Sequence, residues 1–368
     1  MRNQFTEQLY IYKDSGLLDG YSDNHFLIRA MRGEIDIIKE YSQLIDYSAI
    51  RQGVDFSSSF LMNLTTGLRV MHNFFRKKEI ERFITDQLSA GKSNYDEAQF
   101  FRALSELHVL RYLGMYAGVL KEAKYEPRLI GNTNPEARFV FDDDVILDIE
   151  VKTPGFISTN SGTEAANGLL KPNVVLNQSV KGIINDFCRD NGLKFVSPRV
   201  LKLKEYIMSA AAKFEVPTTN KHFNILFINW TFTDFPECGL CEPLSLLVNT
   251  SSGLIGNKEA MKLIGINDEQ MNKISAVVVY RDTLNTLLSN DFRYHFQYKT
   301  FRYIINYVNT NSDYNFLSSA LGMNPCNFGL AVEWFPFDYV FNKEAPTDLL
   351  QKACNIVGNS IINMKLRS

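Results

Sequence analysis

Neither sign of charge dominates this sequence. Its 39 Lys and Arg stand against 41 Asp and Glu, a formal net charge of −2. That excludes a global field steering a polyanion onto the whole surface, and leaves a local basic groove as the route to nucleic acid. Cysteine is scarce. Cys188, Cys238, Cys241, Cys326 and Cys354 are odd in number and unevenly spaced. This excludes a disulfide framework and suits a reducing cytoplasm. No apolar run approaches the length of about 18 residues that a membrane span needs, so no membrane partner is expected. The first residues, Met1 to Gln8, are polar and read as lacking a signal-peptide core. Internal repeats, a Gly-rich phosphate loop, a Ser nucleophile elbow and a His-rich metal motif are all missing. Apolar and aromatic residues are plentiful: 27 Phe and 17 Tyr in 368 residues. That argues against disorder and supplies enough core for two or three domains.

The clearest pattern lies in residues 134–154. Ala137 to Phe141 and Val145 to Val151 alternate apolar and polar positions around Asp142-Asp143-Asp144, which predicts a β-hairpin. Side chains on a strand repeat every two residues. Ile146, Asp148, Glu150 and Lys152 therefore share one face, and Val145, Leu147, Ile149 and Val151 the other. The apolar face fixes the register. The first face puts carboxylates and an ammonium on a strand otherwise built for burial, where such groups are rare unless paired or coordinating. A Glu-x-Lys closing a core strand suits phosphodiester chemistry. The carboxylate can hold a hard divalent cation through oxygen, and the ammonium can orient the attacking water and balance charge. Glu136, across the hairpin, can supply a second carboxylate, and Glu106 on an upstream helix a third.

This order resembles the PD-(D/E)xK, restriction-endonuclease-like nuclease superfamily over residues 95–235. The matching residues are Glu106 on a helix, Pro135-Glu136 opening a strand, and Glu150-Val151-Lys152 closing the next. Glu136 stands where the family usually has Asp, which lengthens that ligand by one methylene. The resemblance implies an α/β fold with a mixed central sheet flanked by helices. It also implies metal-dependent hydrolysis of DNA. Glu136, Glu150 and the Val151 carbonyl would hold Mg²⁺ or Mn²⁺, Lys152 would position the water, and Glu106 would orient a metal-bound water. Gln178 matches loosely a glutamine that some branches carry on the following helix. A solvated edge-strand pair at Glu150 and Lys152 is the structural alternative. A degenerate nuclease fold that binds nucleic acid without cutting it is another, and a dimer is compatible with either.

The sequence divides into a helical region 1–92, the nuclease-like core 93–235 and a mixed α/β region 236–368. Helices are expected over about 23–47, 54–91, 97–123, 173–190, 199–214, 258–272 and 346–365. Strands are expected at 125–130, 224–230 and 274–280, with a loop lacking periodicity from Gly155 to Pro172. Residues 171–213 carry eight Lys or Arg against three acids, a local basic excess that predicts a phosphate-backbone footprint. Lys181, Lys202 and Lys204 are its candidates, with solvated helix faces as the alternative. Phe292 to Val308 interleaves aromatic and basic residues, a pattern for stacking bases or for a strand packed on one face. Cys238 and Cys241 have the spacing of half a zinc site, which His295 or Cys326 would have to complete. Otherwise they are two free thiols in a turn.

Overall fold

The computed structural model describes residues 67–68, 70–88, 97–116, 120–128, 134–154, 166–217, 219–231, 240–249, 252–255, 257–282, 302–306, 313–325 and 337–363. In chain order these form α1 (Lys77–Arg82), which continues as one π-helical turn Phe83–Gln87, then α2 (Glu97–Tyr116). Next come β1 (Leu120–Tyr125), β2 (Ala137–Phe141), β3 (Ile146–Lys152), β4 (Gly168–Pro172), α3 (Gln178–Asp190), β5 (Leu193–Phe195), α4 (Val200–Lys213) and β6 (His222–Asn229). The chain goes on through α5 (Cys241–Val248), α6 (Lys258–Ile264), α7 (Asp268–Asn272), β7 (Ala276–Tyr280), β8 (Arg302–Ile305), α8 (Tyr314–Leu321), β9 (Phe337–Phe341) and α9 (Leu349–Asn363). The predicted helix over 23–47, Cys238, His295 and Cys326 lie outside the described residues.

The protein is mixed α/β. Its central sheet has the order β1-β2-β3-β6-β7-β8. The first three strands form an antiparallel meander, β3 runs parallel to β6, β6 parallel to β7, and β8 is an antiparallel edge. Residues on both sides of position 235 therefore build one sheet. A smaller sheet, β5-β4-β9, pairs β4 with residues near the far end of the chain.

The predicted hairpin is present. Arg138 pairs with Asp148 and Ala137 with Ile149, so continuing the register one step past β2 sets Glu136 opposite Glu150. Asp144 closes the turn at φ 59°, a left-handed conformation that Asp tolerates better than most residues. Lys121 braces this turn by donating to the Asp142 carbonyl and the Asp144 carboxylate.

Helices cover both faces of the sheet. Leu226, Ile228, Val277 and Val279 project toward α4, where Leu203, Tyr206, Ile207 and Ala210 meet them. Fully burying each aliphatic side chain contributes about 1.5–3 kcal/mol. On the opposite face, Asn229 donates to the Ser105 hydroxyl and the Tyr280 hydroxyl to the Ser105 carbonyl, which seats α2 across β6 and β7. Every residue from Ala103 to Leu113 is buried. The helix is thus enclosed all round over three turns, as central helices are. Glu106 lies within that enclosed stretch.

Other expectations also shift. The helix predicted to Ala123 stops at Tyr116, and the first strand is Leu120–Tyr125 rather than 125–130. The expected loop 155–172 ends in a fully buried strand, β4. There Gly168 takes φ +117°, and a Cβ on it would meet the Val340 carbonyl oxygen at 2.0 Å, so the approach of β9 requires glycine. The helix expected from Asn173 begins at Gln178, capped by the Asn177 side chain. Its buried stripe is Val180, Ile184 and Cys188, while Ile183 is exposed.

Candidate active site

Where β3 ends, α2 and α4 converge on its last residues and leave a cleft of about 310 Å³. From α2 the cleft takes Gln99, Arg102, Ala103 and Glu106, at helical spacings of three and four residues that share one face. From α4 it takes Lys202, Glu205, Tyr206 and Ser209, again on one face. Glu136 and the run from Val151 to Pro154 form the rest of the floor, and Gln87 closes one wall through a bond from Gln99.

Glu150 is fully buried beside this floor. Its Oε1 lies 2.5 Å from Lys152 Nζ and 2.7 Å from Lys213 Nζ. These are close charge contacts at one oxygen, and the other, Oε2, is buried without a partner. Lys213 also donates to Glu136 Oε1 at 3.1 Å. The ammonium of α4's last residue therefore bridges the two carboxylates that the hairpin register sets side by side. Burial first, and the negative charge of Glu136 second, push the Glu150 carboxyl up to about 7 against the pull of Lys152 and Lys213. Burial works against the Lys213 ammonium too, but Glu136 and Glu150 outweigh it and hold its pKa above the ordinary lysine value.

Glu106 faces the cleft from α2 with Oε1 buried and unpartnered. Burial, then the charge of Glu136, raises its pKa well above the ordinary carboxylate value and favours the protonated form. The nearby Tyr125 hydroxyl opposes that shift, although it makes no aligned bond to the carboxyl. Glu126, which Arg82 approaches at 3.2 Å, sits at the same end of β1 and is also raised, chiefly by burial.

The structure brings Glu106, Glu136, Val151, Lys152 and Lys202 to one cleft, with Glu150 beside it. It does not bring Gln178, Lys181 or Lys204 there. Gln178 and Lys181 are exposed on α3, which packs on the small sheet through Val180 and Ile184. Lys204 points at Gly265, just after α6. Part of the basic excess over 171–213 is met by acids outside that stretch: Lys171 and Arg199 pair with Glu242, and Lys213 with Glu136 and Glu150. Arg189 and Lys202 pair with acids of their own helices, Asp186 and Asp190 for the first and Glu205 for the second. Lys213, unlike Lys202, was not singled out by the sequence reading. Helical spacing carries the signal: Lys202, Tyr206, Ser209 and Lys213 fall at i, i+4, i+7 and i+11 along one face of α4.

Among the described residues, no three His, Cys, Asp or Glu side chains group closely enough to hold a metal by themselves. Cys241 is a free thiol, as are Cys188 and Cys354. No helix among the described residues is long and apolar enough to cross a membrane. No protein-family model matches the chain, and comparison with curated proteins and with solved structures finds no match in either.

Proposed function

We propose that the protein is a metal-dependent nuclease hydrolysing phosphodiester bonds in DNA, on a restriction-endonuclease-like, PD-(D/E)xK-type core. The observation that carries this reading is the meeting of Glu136 and Glu150 beside Lys152 at the floor of a polar cleft. The chain order α2-β1-β2-β3, with α4 and β6 following after β4, α3 and β5, supports it, because the acid-bearing helix, the hairpin and the Glu-x-Lys strand appear in the sequence the superfamily uses.

The donor set suits a hard cation. Mg²⁺ binds through one or two carboxylates, with water and substrate phosphate completing its shell. Glu150 Oε2 is buried without a partner, and Glu136 stands opposite it. Glu136, Glu150 and the Val151 carbonyl would hold the ion. When bound, it would act as a Lewis acid on the phosphate and ease deprotonation of water. Lys152, one-fifth exposed, presents its ammonium at the junction of Glu150 and the cleft. There it orients water and offsets charge developing on a phosphate oxygen. Glu106, favouring its protonated form, orients water from the opposite wall. Arg102 and Lys202 line the cleft where a phosphate backbone would pass.

Cleavage of supercoiled and linear DNA with Mg²⁺ or Mn²⁺ tests the reading. Lys152→Ala and Glu150→Ala should each lose roughly 100-fold or more in rate, the scale of removing one charge-stabilising group, with the circular dichroism of the fold retained. Activity kept in both variants removes this cleft as the site. Salt-sensitive DNA binding without cleavage would instead support a non-catalytic nucleic-acid-binding protein. That second reading is favoured by one observation: two ammonium groups already crowd Glu150 Oε1.

A further inference from the structure

Resting on the reading of this cleft as a metal-dependent site, the position of Lys213 carries a further step. Its ammonium lies 3.1 Å from Glu136 Oε1 and 2.7 Å from Glu150 Oε1. That is the space a divalent cation would have to enter to engage both carboxylates. With Lys152 also on Glu150, two positive charges balance two negative ones. A divalent ion added to this set would leave it with an excess of positive charge at close range, in surroundings where such repulsion is poorly screened. Lys213 is the group able to yield. It sits on the last turn of α4, next to the Phe214 cap, its side chain is about a quarter exposed, and its four-carbon stem is flexible. Lys213 hydrogen-bonds Glu136 Oε1 and contacts Glu150 Oε1, while Glu150 Oε2 is left buried without a partner and open to a cation.

We propose that Lys213 is a positioning residue that serves as a displaceable counter-cation, bridging Glu136 and Glu150 when no metal is bound and swinging into the cleft when a divalent cation takes their carboxylates. In that outward position its charge faces the path of the substrate phosphate. The lysine thus holds the two acids together while the site waits, and couples metal entry to the appearance of a new cation in the cleft.

A ligand whose site is open only part of the time binds with its affinity reduced by that fraction. Removing the lysine should therefore tighten metal binding, whereas a purely structural lysine would loosen it. The test is calorimetric titration of the full chain with Mg²⁺ alone at mildly alkaline pH, comparing wild type, Lys213→Met, Lys213→Gln and Glu150→Gln. About tenfold tighter binding is expected in both Lys213 variants, with binding lost in Glu150→Gln. Binding in wild type that is equal or weaker in both Lys213 variants overturns the counter-cation and leaves the metal site standing. No heat from wild type or from either Lys213 variant overturns both readings. A second measurement needs no variant: reductive methylation of wild-type lysines, read by mass spectrometry. Lys213 should label faster with saturating Mg²⁺ than without it, and an unchanged rate overturns the displacement.

Discussion

Asp148 and Glu150 stand two residues apart on the same face of β3, and both are fully buried, yet their environments drive them in opposite directions. Burial disfavours the Asp148 charge, but Arg138, with two bonds at 2.6 and 2.7 Å, and His222 at 2.8 Å outweigh it, so the pKa falls below the ordinary value. Glu150 has two ammonium groups in contact, but burial and the charge of Glu136 outweigh them and its pKa rises to about 7. The first end of the strand is a closed joint between β2, β3 and β6. The second is a buried carboxylate beside the cleft floor, with one oxygen left without a partner. Titratable groups pushed apart in this way mark places where a protein trades stability for chemistry. Glu242 extends the closed class. It is fully buried and accepts from the Arg199 backbone N–H on Oε1, and from Lys171, Arg199 and Trp230 on Oε2.

The largest effect should come from opening a closed carboxylate. Glu242→Ala leaves Lys171 buried with its main partner gone and should cost about 3–5 kcal/mol, read as a lower urea midpoint at unchanged slope. A loss under about 1 kcal/mol would show that Glu242 is not a closed joint. Glu150→Gln should act in the opposite sense. A carboxyl raised from 4.5 to about 7 gives a stability that is full below pH 4.5 and lost as pH rises through 7. The amide should therefore stabilise the protein by about 3 kcal/mol above pH 7 and make no difference near pH 4.5. Paired denaturation curves at the two pH values decide it. Asp148→Asn should cost about 1–3 kcal/mol at neutral pH. Because the folded pKa is lowered, that stability exists above the unfolded value of 3.8 and is lost as pH falls through the folded one. A cost undiminished in acid would show that packing, not charge, holds the joint. The smallest stability effect belongs to Lys202→Ala. Its pair with Glu205 is solvent-facing, so less than about 1 kcal/mol should change. Its DNA affinity, measured across salt concentrations, should fall with a shallower salt slope if Lys202 meets a phosphate.

Local pattern made much of the fold legible. The hairpin, α4, β6 and β7 appear within about two residues of where alternation, helical spacing and apolar runs place them, because those signals report the face each segment buries. β4 was hidden. Gly168-Leu-Leu-Lys-Pro has no alternation and contains a buried lysine whose acids, Glu242 and Asp338, come from far later in the chain. The burial of α2 was hidden for a similar reason. Ser105, Glu106, His108 and Arg111 are polar, and their burial depends on partners far along the chain: Asn229 on β6 reaches Ser105, and Asp282, just past β7, reaches His108.

The candidate site divides in the same way. Sequence alone determined that Glu150 and Lys152 flank Val151 at the end of a strand, and that Glu136 would face them across a hairpin, because strand period and hairpin register are local geometry. The tertiary structure alone decided that Glu106 would be enclosed at the cleft, that Gln178, Lys181 and Lys204 would point elsewhere, and that Lys213 would span Glu136 and Glu150. Those outcomes depend on how α2 and α4 dock against the sheet. Docking sums apolar contacts across the whole core, so no local run of residues encodes it.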